Sequence, residues 1–264
     1  MFEREGPLVT VVVDGQPQSA VDLEDPTRLD FEYVQHLALC TDALLPDGRL
    51  RVTHVGGAGL TLARWLQATR SGSPQIVLEP DAALTEAVRH ELPLPRGHRI
   101  RVRPVPGVDG VVALADGSAD LVVLDAYAGG RVPPSLTTVE WFAQVARVLA
   151  PGGLLLANVA DEPGMRYVAR VEASVRESMP HTAVVALHEV LKGKRFGNLV
   201  LVASAAPLDL YTLRRATASA ALPTGVLPGP DIRRRVPGAR PFAESSDDTA
   251  SSPPPPERDA WRPR

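Results

Sequence analysis

His54-Val55-Gly56-Gly57-Ala58-Gly59-Leu60 joins a short apolar run, 51–55, to an amphipathic one, 60–69. Small residues at such a junction let the backbone approach a ligand closely, and the helix that follows opens with free amide donors. One unit further on, Val77-Leu78-Glu79-Pro80-Asp81 again runs from an apolar stretch through an acid into a helix start. Glu79 stands about twenty residues after the loop, where a carboxylate at the end of a second strand meets the two hydroxyls of a ribose. Together the two stretches predict a nucleoside site with Gly56, Gly57, Gly59 and Glu79 as binding residues. The competing use of Glu79 is to cap the next helix, and Asp81 suits the first turn of that helix equally well.

Outward from this point, short apolar runs alternate with amphipathic ones, the pattern of βαβ units. Strands are expected at 51–55, 75–78, 100–105, 121–124 and 154–158. Helices are expected at 60–69, 82–91, 138–149 and 165–178, with short helical or irregular material at 111–114. Strands at 183–187 and 199–203, with Gly193 and Gly197 between them, suit an antiparallel hairpin that closes the sheet. Upstream, Leu8 to Val13 is a β-branched run, Asp14-Gly15 a turn signal and Gln18 to Leu23 the returning strand. A helix capped by Asp30 then runs to about Thr41. The expected segments are a hairpin and helix over 1–49, a nucleoside-binding unit over 50–206, an extension over 207–243 with a helix at 210–220, and a tail over 244–264. That tail holds four consecutive prolines and hardly any apolar residues, so it is expected to be disordered.

The bulk properties narrow the function. The chain has 264 residues, 44% hydrophobic and 22% charged, with a formal net charge of -3, which gives no basic field for nucleic acid. Its one cysteine, Cys40, excludes an internal disulfide, and no Cys/His cluster has metal-site spacing, so no metal is expected. The N-terminus is polar and no apolar run approaches bilayer length, so no membrane association and a cytoplasmic location are expected. Arginine supplies nearly all the positive charge, the lysines being Lys192 and Lys194, a bias typical of GC-rich coding.

Later units bear on the kind of nucleoside. Asp120-Leu121-Val122-Val123-Leu124-Asp125, followed by Pro151-Gly152-Gly153 and a strand ending at Asn158, has the rhythm of the fourth and fifth strands of class I methyltransferase folds. The glycine loop also lacks the full G-x-G-x-x-G spacing of dinucleotide sites. The fold class expected is therefore α/β and Rossmann-like. It is a mostly parallel seven-stranded sheet of the class I methyltransferase type, with a C-terminal antiparallel hairpin, preceded by a small β-hairpin and helix.

From about Val11 to Ala203 the sequence resembles the spermidine synthase family of aminopropyltransferases, particularly its divergent bacterial members. The resemblance is carried by Gln18 to Leu23, Phe31-Glu32-Tyr33, the loop from His54 to Gly59, Glu79-Pro80-Asp81, Asp125, the stretch from Pro134 to Phe142, and Gly197-Asn198-Leu199. It implies aminopropyl transfer from decarboxylated S-adenosylmethionine to a small amine, in polyamine biosynthesis. Asp125 would be the catalytic carboxylate, and Gln18, Tyr33 and Tyr127 the substrate-side residues. Asp109 is the one acid placed to serve the family's adenine-binding turn. Two positions depart from the family pattern, since Gly59 and Ala128 stand where aspartates are usual. Asp22, Glu32 and Asp161 are the carboxylates that would have to substitute. Two other readings stay open: a small-molecule methyltransferase using intact S-adenosylmethionine, and a non-catalytic nucleoside-binding derivative.

Gln35, His36 and His54 are weighed as cleft residues against core or capping roles. Arg131 and Arg195 are weighed as anion binders, and Arg233 to Arg235 as a surface turn. The exposed strands of the N-terminal hairpin allow a homodimer.

Overall fold

The computed structural model describes residues 2–13, 15–245 and 250–256. The turn residue Asp14 and the outer parts of the tail lie outside the described residues. Three antiparallel strands open the chain: β1 (Phe2–Glu5), β2 (Leu8–Val13) and β3 (Gln16–Asp22). The first of them extends the expected hairpin to a three-stranded sheet. α1 (Glu32–Leu44) follows. Asp30 does not cap it, because the N-cap position falls one residue later on Phe31, which offers no side-chain acceptor. The chain entry is tied instead by Gln35, whose side-chain amide donates to the Leu29 carbonyl at 2.8 Å.

The main unit runs β4 (Val52–Val55), α2 (Thr61–Thr69), β5 (Gln75–Leu78), α3 (Ala82–Glu91), β6 (Ile100–Arg103), α4 (Gly107–Val112) and β7 (Ala119–Leu124). A single 3-10 turn, Pro134–Leu136, leads into α5 (Val139–Val148), then β8 (Leu149–Asp161), α6 (Arg166–Arg176), β9 (His181–Leu187), α7 (His188–Leu191) and β10 (Gly197–Ser204). α8 (Leu210–Ala218), β11 (Thr224–Pro228) and α9 (Gly229–Arg235) complete the chain's regular elements. The sheet order is β11-β9-β10-β8-β7-β4-β5-β6. β6, β5, β4, β7 and β8 pair in parallel, and β10, β9 and β11 antiparallel.

The fold is thus the expected α/β class, with β11 as an eighth strand in the stretch read as an extension. Its sequence, Thr224-Gly225-Val226-Leu227-Pro228, carries glycine and proline, which are tolerated because it lies at the sheet edge. Arg233 to Arg235, read as a turn, are helical. The Pro151-Gly152-Gly153 stretch sits inside β8, where the pairing with β7 shifts register.

Helices cover both faces, so the central strands are buried on both sides and read as continuous apolar runs. Leu121 and Val123 of β7 pack with α1, α2 and α8, whereas Val122 and Leu124 pack with α4, α5 and α6. Val9, Val11 and Val21 of the N-terminal sheet form a third cluster with Leu60, Val77, Val88 and Leu92. Strand order reverses between β4 and β7, and the crevice beyond the carboxyl ends of strands at such a reversal is where open α/β sheets bind ligands. Among the described residues, no helix is long and apolar enough to cross a membrane, and no group of three metal-ligating side chains comes together.

Candidate functional site

The tips of β7, β4, β5 and β6 are stitched together by backbone bonds. The Gly56 amide donates to Leu78 at 2.9 Å, Asp125 to Val55 at 2.9 Å and Glu79 to Arg103 at 3.1 Å. Gly56 has φ +82°, and a Cβ there would lie 2.2 Å from the Asp125 carbonyl oxygen, so only glycine lets the loop cross beneath the end of β7. Ala58 (φ 36°) and Leu60 (φ 63°) also adopt left-handed backbone, which is costly for residues with a Cβ and concentrates at functional loops. The small-residue pattern alone did not single out that strain.

Gly56, Gly57 and Ala58 line a cavity of about 660 Å³, with Glu79, Asp81 and Asp125 as carboxylates in its wall and Gln18, Tyr33 and Tyr127 beside them. Seven of the nine residues expected from sequence therefore face one space. Burial pushes the Glu79 carboxyl above its usual range, while the amides of Asp81, Ala58 and Gly57 draw it back. The loop amides thus serve first to aim Glu79. Asp81 caps α3, accepting from the Leu84 amide at 2.8 Å.

Gly59 and Asp109 are the two that do not join the cavity wall. Gly59 faces the N-terminal sheet, where its amide donates to the Ser19 hydroxyl at 3.0 Å and a Cβ would meet Ser19 at 2.9 Å. Its glycine character is required by that docking. Asp109 is exposed in the first turn of α4, pointing off the cavity, and Pro106, Gly107 and Val108 supply the wall instead. Gly107 is needed there because a Cβ would stand 2.3 Å from Val55.

Asp125 closes β7 with part of its surface open to the cavity. Asn158, at the corresponding point of β8, donates from Nδ2 to Oδ1 of Asp125 at 2.9 Å. Burial raises the Asp125 carboxyl to about 6, while Asn158 and the Tyr33 hydroxyl pull it down. The Tyr127 hydroxyl donates to the Asn158 carbonyl at 3.3 Å. Asn158 was visible in the sequence only as the polar end of a strand, and pairing across the sheet gives it meaning. Arg64 was missed altogether. It is buried in α2, and its guanidinium donates to the Gly59 carbonyl at 3.1 Å, to Pro93 at 3.2 Å and to Leu92, clamping the loop to the end of α3.

The other candidates have structural partners. His54 Nε2 meets Gln75 Oε1 at 2.9 Å and His36 Nε2 meets Thr224 Oγ1 at 3.0 Å, and burial holds each imidazole down at about 4, hence neutral. Asp22 accepts the amides of Glu24 and Asp25, and Asp161 accepts those of Glu162 and Val168. Glu32 pairs with Arg195 at 3.5 Å, and Arg195 with Glu189 at 3.3 Å. None of the three acids lines the large cavity.

A second compartment of about 120 Å³ continues past Tyr33 and Tyr127 and is bordered by Gln16, Gln18, Asn158, Phe196 and Asn198. The site therefore has two rooms that share Gln16, Gln18, Tyr33, Tyr127, Gly130 and Pro255 as their common wall: a larger one over the glycine loop, Glu79 and Asp125, and a smaller one walled by amides and aromatic rings.

A probable spermidine synthase from Corynebacterium glutamicum has the same architecture, with TM-score 0.85, 28% identity and 94% of each chain covered. In sequence and in fold the chain is similar to that protein. The polyamine aminopropyltransferase of Chromobacterium violaceum is 25% identical over 142 residues, 53% of this chain and 53% of that protein, so the match spans about half the length of that curated relative. Two further structures share the fold alone. One is a spermidine synthase in complex with the transition state analogue AdoDATO, with TM-score 0.64, 15% identity, and 89% of this chain and 87% of that one covered. The other is human methyltransferase-like protein 13 in complex with SAH, with TM-score 0.58, 16% identity, and 83% and 98% covered. No protein-family model matches the chain.

Proposed function

We propose that the protein transfers an aminopropyl group from decarboxylated S-adenosylmethionine to a small amine. The observation that carries this reading is the carboxyl of Asp125 in the wall of the larger room, with Asn158 and Tyr33, which border the smaller room, against it. The likeness to a probable spermidine synthase over 94% of the chain supports it. A cavity of about 660 Å³ is of the size that takes a nucleoside-bearing ligand.

In this reading Glu79 accepts hydrogen bonds from the ribose, and Leu78, Pro106 and Val108 form the apolar slot for the base. The amine enters through the smaller room and reaches past Tyr33 and Tyr127 to Asp125 in the wall of the larger one. Its nitrogen lone pair attacks the propyl carbon next to the sulfonium, the carbon–sulfur bond breaks, and its electron pair returns to sulfur, leaving methylthioadenosine. The new ammonium then gives up a proton, for which the Asp125 carboxylate is the acceptor within the site. Orientation and a deprotonated nucleophile are what the protein supplies. With burial holding its carboxyl near 6, Asp125 is mostly ionised at neutral pH while remaining a stronger base than an exposed aspartate.

Parallel calorimetry with decarboxylated S-adenosylmethionine, intact S-adenosylmethionine and methylthioadenosine tests the donor, followed by detection of methylthioadenosine released in the presence of amines. Tighter binding of the decarboxylated donor, with amine-dependent release, is the expected result. Tighter binding of the intact donor with methyl transfer, or no binding of any of the three, would refute it.

A further inference from the structure

The C-terminal stretch expected to be a solvated tail returns to the site. Phe242 is fully buried and its carbonyl accepts the Val139 amide at 2.9 Å, which anchors the chain beside the start of α5. Further along, Ser252 is fully buried, and its hydroxyl accepts the Val132 amide at 2.9 Å. Pro255 then borders both rooms of the cavity. Opposite it stands Gly130, where a Cβ would lie 3.1 and 3.2 Å from two ring carbons of Pro255, so the absence of a side chain at 130 admits the proline ring. Gly130 is held to glycine by its own φ of +74°, so the two signs that the segment is seated are the fully buried Ser252 hydroxyl with a backbone partner and the Pro255 ring packed over that glycine.

We propose that residues 252–255 form a wall of the smaller room and that Pro255 is a specificity-determining residue that limits the length of the amine acceptor. This rests on the aminopropyl-transfer reading and assigns one of its substrate contacts. A polyproline segment suits such a wall because its backbone is stiff before it docks, so seating it costs less chain entropy than seating a flexible loop. Ser252 supplies the peg and Pro255 the surface.

The test uses the full chain and its Pro255→Ala, Pro255→Trp and Ser252→Ala variants. Amine-dependent release of methylthioadenosine is measured over primary amines of increasing length. A methylene fitted into or excluded from a pocket changes discrimination by about tenfold or more. Pro255→Ala is expected to raise kcat/KM for long amines relative to short ones by about that factor, and Pro255→Trp to lower it, with methylthioadenosine affinity changed far less. Identical length profiles in all three proteins would overturn the proposal. Hydrogen exchange at the Val132 amide reads the docking without any substrate. Ser252→Ala should speed it about threefold to tenfold, the worth of one hydrogen bond, and an unchanged rate would overturn the docked wall. If no amine is turned over, the transfer reading and the acceptor role fail together, while Val132 exchange still reports whether the segment is seated.

Discussion

Replacing Asn158 by leucine removes the side-chain donor that lies 2.9 Å from Asp125 while keeping the branched outline of the side chain. The Asn158 Oδ1 is buried without a partner, so the change also discards an unsatisfied acceptor, and folding should suffer little. The effect should fall on Asp125. Burial raises that carboxyl to about 6 against the pull of Asn158 and Tyr33, so loss of one donor lets burial act with less opposition. A hydrogen bond to a charged group is worth about 1.5–3 kcal/mol, and each 1.36 kcal/mol is about one pH unit, so the midpoint should rise by about one to two pH units. Carboxyl carbon-13 NMR reads this directly, with Asp125→Asn used to assign the resonance. At pH 7 the ionised fraction should drop about twofold to tenfold, and transfer with it. An unmoved midpoint in a folded Asn158→Leu protein would refute the argument that Asn158 tunes Asp125.

Asp125→Asn should reduce transfer by about a hundredfold or more, the scale of general-base loss, while methylthioadenosine affinity stays within about tenfold. The same variant tests linkage. A carboxyl raised to about 6 in the folded state binds its proton on folding, so its contribution is present below the unfolded value of 3.8 and lost as pH rises through about 6. Asp125→Asn should therefore be more stable than the parent at pH 7.5 by up to about 3 kcal/mol and nearly equal to it at pH 3.5, as followed by urea melts at both. Glu79→Gln should weaken methylthioadenosine binding about tenfold to a hundredfold in calorimetry, because ribose bonds to a charged acceptor are lost. Arg64→Met leaves the carbonyls of Gly59, Leu92 and Pro93 without this donor, and should cost about 2–5 kcal/mol in a urea melt.

The parallel sheet was legible because its strands are buried on both faces and its helices on one, which writes short continuous apolar runs alternating with amphipathic stretches into the sequence. Glu79 and Asp125 were legible for a related reason, since a polar residue ending an apolar strand has few structural uses. What escaped notice depends on contacts distant in sequence. Gly59 reads as a ligand-approach glycine until Ser19, forty positions earlier, is found against it. Arg64 looks like an ordinary helix arginine, since the three carbonyls it serves lie on other segments. Asp109 was expected from the resemblance, as the one acid near the family's adenine-binding turn, whereas α4 begins early enough to turn it outward. β11 and the segment around Ser252 carry proline and small residues, and composition gives no credit for docking onto a surface that other parts of the chain provide.

The two rooms differ in how their walls are made, and this bears on how acceptor preference diverges among such chains. The larger room is built from strand tips and the glycine loop, where backbone bonds between β4, β5 and β7 fix every position. A change at Gly56 would place a Cβ 2.2 Å from the Asp125 carbonyl and disturb the base and the loop together. The smaller room takes Gln16 and Gln18 from the N-terminal sheet, Asn158 and Asn198 from the antiparallel side of the main sheet and Pro255 from the C-terminal segment. Gln16, Gln18 and Pro255 border the larger room as well, and the N-terminal sheet packs on Leu60 and Val77 beneath it, so the residues that belong to the smaller room alone are Pro17, Asn158, Ala160, Phe196 and Asn198. In the proposed reading, a donor site built on strand tips beside an acceptor site assembled largely from peripheral segments is an arrangement in which one displacement chemistry can be turned toward different amines.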